Sequence, residues 1–486
     1  MSEDEASEAG DVVRRERFSG GPARGFLSSL ASDERIFRAD LQVDRAHVVM
    51  LAEQGIVDDA AAGDILGALD AVEEAGHAAL PDGEDVHAAI ETAVIDRVGD
   101  VGGKMHTARS RNDEVATCLR HRLRGDLLAL AQTVVGFREV LCAAAEAHTE
   151  TVMPGYTHLQ PAQPTTVAHY LLSYESALAR DTERLLDAFD RTNRSPLGAA
   201  AFAGTPFDVD RERVADLLGF DDVLENSMDA ASARDFLTET TAAAATLTTH
   251  LSGIAEDLVI FANKGYVDLS DDYSSTSSIM PQKKNPDTLE LVRAAAGDAS
   301  AGLNGLLTTL KGLPRAYNRD LQRAHDHAFD TVDVVAEATE VAAGAVATAE
   351  WNADLLAAEA ADGFSTATGV ADLLAMQGLP FRTAHEVVAL AGEQGGDFAA
   401  VEAAVEDVLG GSLDEYVDPD AVREALDPAA SVASRDSLGG PAPETVAAAT
   451  ERVSADIAEA QTAIGTRREA LDDAETLLRE EVASYG

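Results

Sequence analysis

Lysine is nearly missing from this chain. Only five of its 486 residues are lysine (Lys104, Lys264, Lys283, Lys284 and Lys311), so arginine supplies 32 of the 37 basic side chains. Positive charge as a whole is short: 86 acidic residues leave a formal net charge of −49. Such a surface lacks the basic face that phosphate binding needs, which argues against nucleic acid as a partner. Cysteine is confined to Cys118 and Cys142, both in helix-like sequence, so no disulfide framework is implied and both read as small buried side chains. No apolar run approaches about 18 residues, so no membrane span is predicted. The first residues, "MSEDEASEAGDVVRRER", lack the basic start and apolar stretch of a signal peptide, and a cytoplasmic protein is expected. Metal spacings such as C-x-x-C and H-E-x-x-H are missing, as are glycine-rich phosphate loops, so neither a metal nor a cofactor is expected.

What is present is a chain that is 46% hydrophobic, enough for a large core and for about three domains. The acids are spread throughout, aromatics make up only 5%, and alanine is abundant. That combination resembles the surface chemistry of proteins adapted to molar salt. A disordered acidic chain is the alternative, but Leu, Val and Ile at helical spacing argue against it.

Helical periodicity dominates. Over 164–193, Val167, Leu171, Tyr174, Leu178, Leu185 and Phe189 fall along one side, with Thr165 and Thr166 as candidate caps. The stretch "DFLTETTAAAATLTTHLSGIAEDLVIFANKG" ends at a glycine suited to a C-cap. Helices near thirty residues exceed the usual mean more than twofold, and their apolar stripes call for partners from other subunits. An all-α fold is predicted, with an N-terminal helical domain (1–107), a central long-helix domain (108–361) and a C-terminal domain of short helices (362–486). Gly and Pro clusters at 19–25, 99–103, 154–164, 195–206 and 274–286 separate the helical blocks, and such loops are where a site is assembled.

Three of these breaks carry chemistry. "DDYSSTSSIMPQKKNPDTLELVR" (271–293) holds the only adjacent lysines, beside serines that cannot pack an apolar face and two stiffening prolines. A serine hydroxyl becomes a base only where nearby positive charge and exclusion of water stabilise its alkoxide, and a closing loop carrying both residues meets that need. A solvated linker is the plain alternative. "MPGYTHLQPAQPTTVAHY" (153–170) holds His158 between prolines, beside Thr157 and Gln160; a structural histidine fits equally well. "GGKMHTARSRNDEVAT" (102–117) puts Arg109, Arg111 and Asn112 before a long helix, whose positive end suits a carboxylate, though a helix cap with two surface arginines reads the same way. The inventory suits proton abstraction next to a carboxylate.

"SSIMPQKKNPD" resembles the signature loop of the fumarase/aspartase superfamily. With "HTARSRNDEVAT", "GYTHLQPAQPT", "NSMDAASARDF" and "LKGLPRAYNRDLQ" it is similar to the argininosuccinate lyase family in particular. The resemblance runs from about residue 16 to 325 and is looser beyond. It implies cofactor-free cleavage of argininosuccinate into arginine and fumarate, the last step of arginine biosynthesis, in an all-helical homotetramer with a shared central bundle and active sites drawn from three subunits. By the same resemblance Ser277 is the base, and Lys283 with Asn285 stabilises the developing charge. His158, oriented through Glu290, handles the proton on the guanidinium side, while Ser29, Arg111, Asn112, Thr157, Tyr317 and Gln322 hold the substrate. One position departs: where the family commonly has a substrate-contacting lysine, this chain has His325, so either Arg323 or water takes its place or affinity for one substrate carboxylate is reduced. Competing readings are a lyase of the same superfamily for another succinyl adduct or fumarate, and a crystallin-type structural protein.

Overall fold

A computed structural model of the chain describes residues 22–486; the segment read as lacking a signal peptide lies outside them. Helix accounts for 71% of the structure, as the periodicity predicts. Three helices form the N-terminal layer: α1 (Phe37–Glu53), α2 (Asp59–Ala75) and α3 (Val86–Val98). The Asp58 and Asp85 side chains cap the latter two by accepting the N–H groups of Ala61 and Ala88.

The bundle follows. Helix α4 (Arg111–Ala147) runs for 37 residues, with Leu119, Leu123, Leu127, Leu130, Val134 and Leu141 buried along one side. Ser110 and Asp113 close a capping box at its start. After α4 comes a hairpin of β1 (Val152–Thr157) and β2 (Gln160–Thr166), then α5 (Val167–Thr192) and α6 (Asp235–Lys264). Thr166 caps α5, and α6 stops at Gly265, whose left-handed φ of 76° a side chain would resist. A two-residue pair of β3 (Ser275–Thr276) and β4 (Lys284–Asn285) precedes α7 (Asp287–Leu310) and α8 (His325–Ala347). Helix α4 packs on α5 and α8, and α6 packs on α5, α7 and α8.

Three findings differ from the sequence reading. The proline-rich 152–166 stretch is an antiparallel hairpin, where a stiff loop was expected. Proline removes a ladder donor, but each strand of an isolated pair has an outer edge that needs none, so Pro154, Pro161 and Pro164 are accommodated. Second, α4 contains an 18-residue window with mean hydropathy 1.5, apolar enough to cross a membrane by composition, although no such run was read. Here 56% of that window is buried in the bundle. The same helix carries the buried Arg120, Arg124 and Arg138; Arg124 donates to Asn193, Leu218 and Gly219, and Arg138 to Glu175 and Asp456.

Third, the end of the chain is not all short helices. A satellite core of Val370, Leu374, Val387, Val401, Val405 and Leu413 forms under short helices, but the 41-residue α9 (Pro443–Ala483) returns to the bundle. It lies on α4 and adds Val446, Ile457, Ile464 and Leu478 to the main core. Replacing Ile464 with Ala is expected to remove about 2–5 kcal/mol from unfolding of the bundle, measured by denaturant titration in molar salt. An unchanged bundle transition would show that α9 is not part of its core.

Candidate active site

The start of α4 is fixed from several directions. Asp113, besides closing the capping box, accepts N–H groups from Gly198 and Ala200 at 3.0 and 2.7 Å, which draws the 195–206 loop onto the helix. Arg109, read from sequence with the carboxylate binders, is sequestered instead: it pairs with Asp44 at 2.5 Å and Glu114 at 3.0 Å in the interior. Arg111 and Asn112, one turn on, face a cavity of about 270 Å³.

That cavity joins distant stretches of chain. Ser29, Arg111, Asn112, Tyr317 and Gln322 all line it, with Arg319 and His325 beside them. Ser29 Oγ donates to Asp33 Oδ2 at 2.8 Å, and Gln322 Nε2 donates to the Leu27 carbonyl at 2.9 Å. Arg111 meets Asp85 at 3.2 Å, and Arg319 pairs with Glu84. His325 is buried, which lowers its imidazole below the ordinary value despite Asp326 and Asp33 nearby. It is therefore neutral at pH 7, unlike a lysine.

Sequence reasoning missed His87, Asp33 and Asp85, which also line the cavity. Burial would lower the His87 imidazole, but Asp40, Glu114 and Asp85 outweigh it and push it up to about 10, so it is an imidazolium. The available signal was "GEDVHAA", a histidine two residues after an acidic helix cap. Donor atoms of Asp40, His87 and Cys118 lie within 4.8 Å of one another. Their contacts are with each other: His87 Nδ1 is 2.8 Å from Asp40 Oδ1, and Cys118 Sγ donates to the same oxygen at 3.3 Å. Burial also raises the thiol well above its usual range, away from the thiolate a metal would want.

The remaining residues singled out from sequence stand elsewhere in the chain. Thr157 and His158 border a separate cavity of about 1340 Å³ between the β1–β2 hairpin and the satellite region. His158 and Leu159 are the two turn residues, with φ of 56° and 57°. A tight two-residue hairpin turn needs that left-handed backbone, usually supplied by Asn-Gly. Side chains there carry strain of about 1–3 kcal/mol, a cost typical of functional tips.

Ser277 lies just inside the β3–β4 pair. Its N–H donates to Lys283 O at 3.1 Å, and its Oγ accepts the N–H of Met280 at 3.1 Å. Lys284 is tied to Asp268 and Asp271 at 3.2 and 3.0 Å, whereas Lys283 is exposed and has no acidic partner among the described residues. Asn285 is half-buried at the base of the pair. Glu290 is exposed in the first turn of α7, and no hydrogen bond or ion pair joins it to His158 within the chain. One chain thus brings five substrate-holding candidates together and leaves Ser277, Lys283, Asn285, Glu290, Thr157 and His158 away from them.

Known proteins place this architecture. A family model described as lyase matches residues 25–300, and one described as argininosuccinate lyase C-terminal matches 364–433. The argininosuccinate lyase of Natronomonas pharaonis is 72% identical over 99% of this chain and 98% of its own. That of Haloarcula marismortui is 66% identical over 98% and 96%, and the haloarchaeal origin fits the acidic, lysine-poor composition. Among solved structures, an EDDS lyase in complex with formate has a TM-score of 0.85 at 32% identity, covering 99% of this chain and 98% of that one. A class II fumarase from Schistosoma mansoni shares the fold, with a TM-score of 0.69 at 16% identity over 81% and 92%. By sequence over 98–99% of its length, the chain belongs to the argininosuccinate lyase family.

Proposed function

We propose that this protein cleaves argininosuccinate into arginine and fumarate, without a cofactor, in the cytoplasm as the closing step of arginine biosynthesis. The observation that carries this reading is the convergence of Ser29, Arg111, Asn112, Tyr317 and Gln322, from three stretches of chain, on one cavity. Two of them stand at the N-terminus of a 37-residue helix, whose dipole favours a carboxylate.

In the reaction, Ser277 Oγ takes a proton from the carbon next to a carboxylate. The electron pair left behind makes an aci-carboxylate with two negative charges. Lys283 and Asn285 face that charge, and fixed donors of this kind are each worth about 3–4 kcal/mol. The pair then forms the fumarate double bond as the carbon–nitrogen bond breaks, and the leaving guanidine nitrogen receives a proton on the His158 side. His158 is oriented through Glu290.

These groups meet the cavity only if several copies assemble, so a homotetramer with each site built from three subunits is part of the proposal. Leu291 (72% exposed) and Leu307 on α7 leave apolar surface suited to a neighbouring helix. Lys283, exposed and without an acidic partner among the described residues, is free to turn towards a substrate, whereas Lys284 anchors the base of its hairpin.

Release of arginine by the purified protein in molar salt tests the substrate directly, because a lyase for fumarate or another succinyl adduct makes none. Ser277→Ala is expected to lower kcat by about 10²–10⁴ with the fold intact by circular dichroism; near-normal turnover would remove the base assignment. Transfer to dilute buffer should abolish both activity and the tetramer seen by size-exclusion chromatography. With the Debye length growing from about 3 Å at 1 M salt to about 10 Å at 0.1 M, the surface acids then repel one another and the substrate. Full activity in dilute buffer would contradict salt adaptation.

A further inference from the structure

Each arginine lining the substrate cavity is already matched by an acid, and so is its imidazolium. Arg111 has Asp85, Arg319 has Glu84, and His87 has Asp40. His325 is neutral. Yet the succinyl end brings two carboxylates, and the intermediate adds a further charge. Besides Lys283, which the loop brings to the reacting carbon, a further unmatched cation can act only from behind the lining residues.

Arg234, directly before α6, supplies it. It is 2% exposed, and only Nη1 has a partner, the Ala233 carbonyl at 2.9 Å. Nε and Nη2, which form one edge of the guanidinium, are buried with no acceptor, and among the described residues no carboxylate pairs with it. It borders a third cavity, of about 650 Å³, behind the 313–321 wall. The other side of that wall presents Tyr317 and Arg319 to the substrate cavity, and Leu321 touches both spaces. The Arg234 charge is felt by His325, where it adds to burial in lowering the imidazole. Burial pushes the guanidinium down to about 10, so it stays protonated at neutral pH.

An unmatched buried cation costs several kcal/mol of stability. Packing alone is better served by an uncharged side chain of the same length. We infer that Arg234 is a positioning residue whose uncompensated charge, acting through the 317–321 wall, holds the dianionic succinyl end in the cavity. This rests on the cleavage reading above.

The test uses the full chain in molar salt, measuring fumarate affinity by calorimetry and melting temperature for Arg234→Met and Arg234→Lys. The methionine variant is expected to melt no lower than the parent and to bind fumarate more weakly by on the order of tenfold or more. The lysine variant, which keeps the charge with fewer donors, is expected to stay within about threefold. A folded Arg234→Met with parental affinity overturns the inference, and so does an Arg234→Lys that loses as much as the methionine variant. If Arg234→Met does not fold, Arg234→Lys decides alone: retained affinity supports the charge role and lost affinity refutes it. A parent that neither binds fumarate nor releases arginine would strike the cleavage reading instead.

Discussion

The cavity that Arg111 and Asn112 face stands on a group of buried charges where three helices meet. Arg109, just before α4, sits between Asp44 of α1 and Glu114 of α4, while Asp40 of α1 faces His87 of α3. All five side chains are in the interior. A buried pair adds little net stability over apolar packing, but removing one member leaves the other unmatched at a cost of about 3–5 kcal/mol. The group therefore acts as a register pin. It fixes where α4 begins, and hence where Arg111 and Asn112 point, and it holds Asp85 two residues from His87 to meet Arg111.

The choice of cation follows from the same physics. Arg120, Arg124 and Arg138 are buried along α4; Arg124 reaches two carbonyls and an amide oxygen, and Arg120 stacks over Phe236 at 4.0 Å. A planar guanidinium with five donors satisfies such sites, where a compact ammonium does not. Over the whole chain, by contrast, acids outnumber bases by 86 to 37. Two lysines persist side by side on the β3–β4 hairpin, and their surroundings separate them: one is held by aspartates and one is unengaged.

Much of this was legible in the sequence. The helical period gave α4, α5 and α6 with their buried faces, and the threonine and glycine caps lie where Thr166 and Gly265 end helices. The positions in "RSRND" and "PRAYNRDLQ" do converge on one cavity. What stayed hidden depends on long-range packing. The two arginines of "ARSR" look alike in sequence, and only Asp44 and Glu114 tell which one is consumed internally. The β1–β2 hairpin was masked because proline erases the alternation that marks strands. Helix α9 was hidden by its alanines and charges, although Val446, Thr450, Val453, Ile457, Ala460, Ile464, Leu471 and Leu478 fall on a seven-residue repeat that a 3.5-residue period would have picked out.

Helix α9 also bears on how the molecule is made. It completes the face of α4, a partner more than three hundred positions earlier in the polypeptide. During synthesis the part of α4 that α9 covers thus stays open until residues 443–483 have left the ribosome.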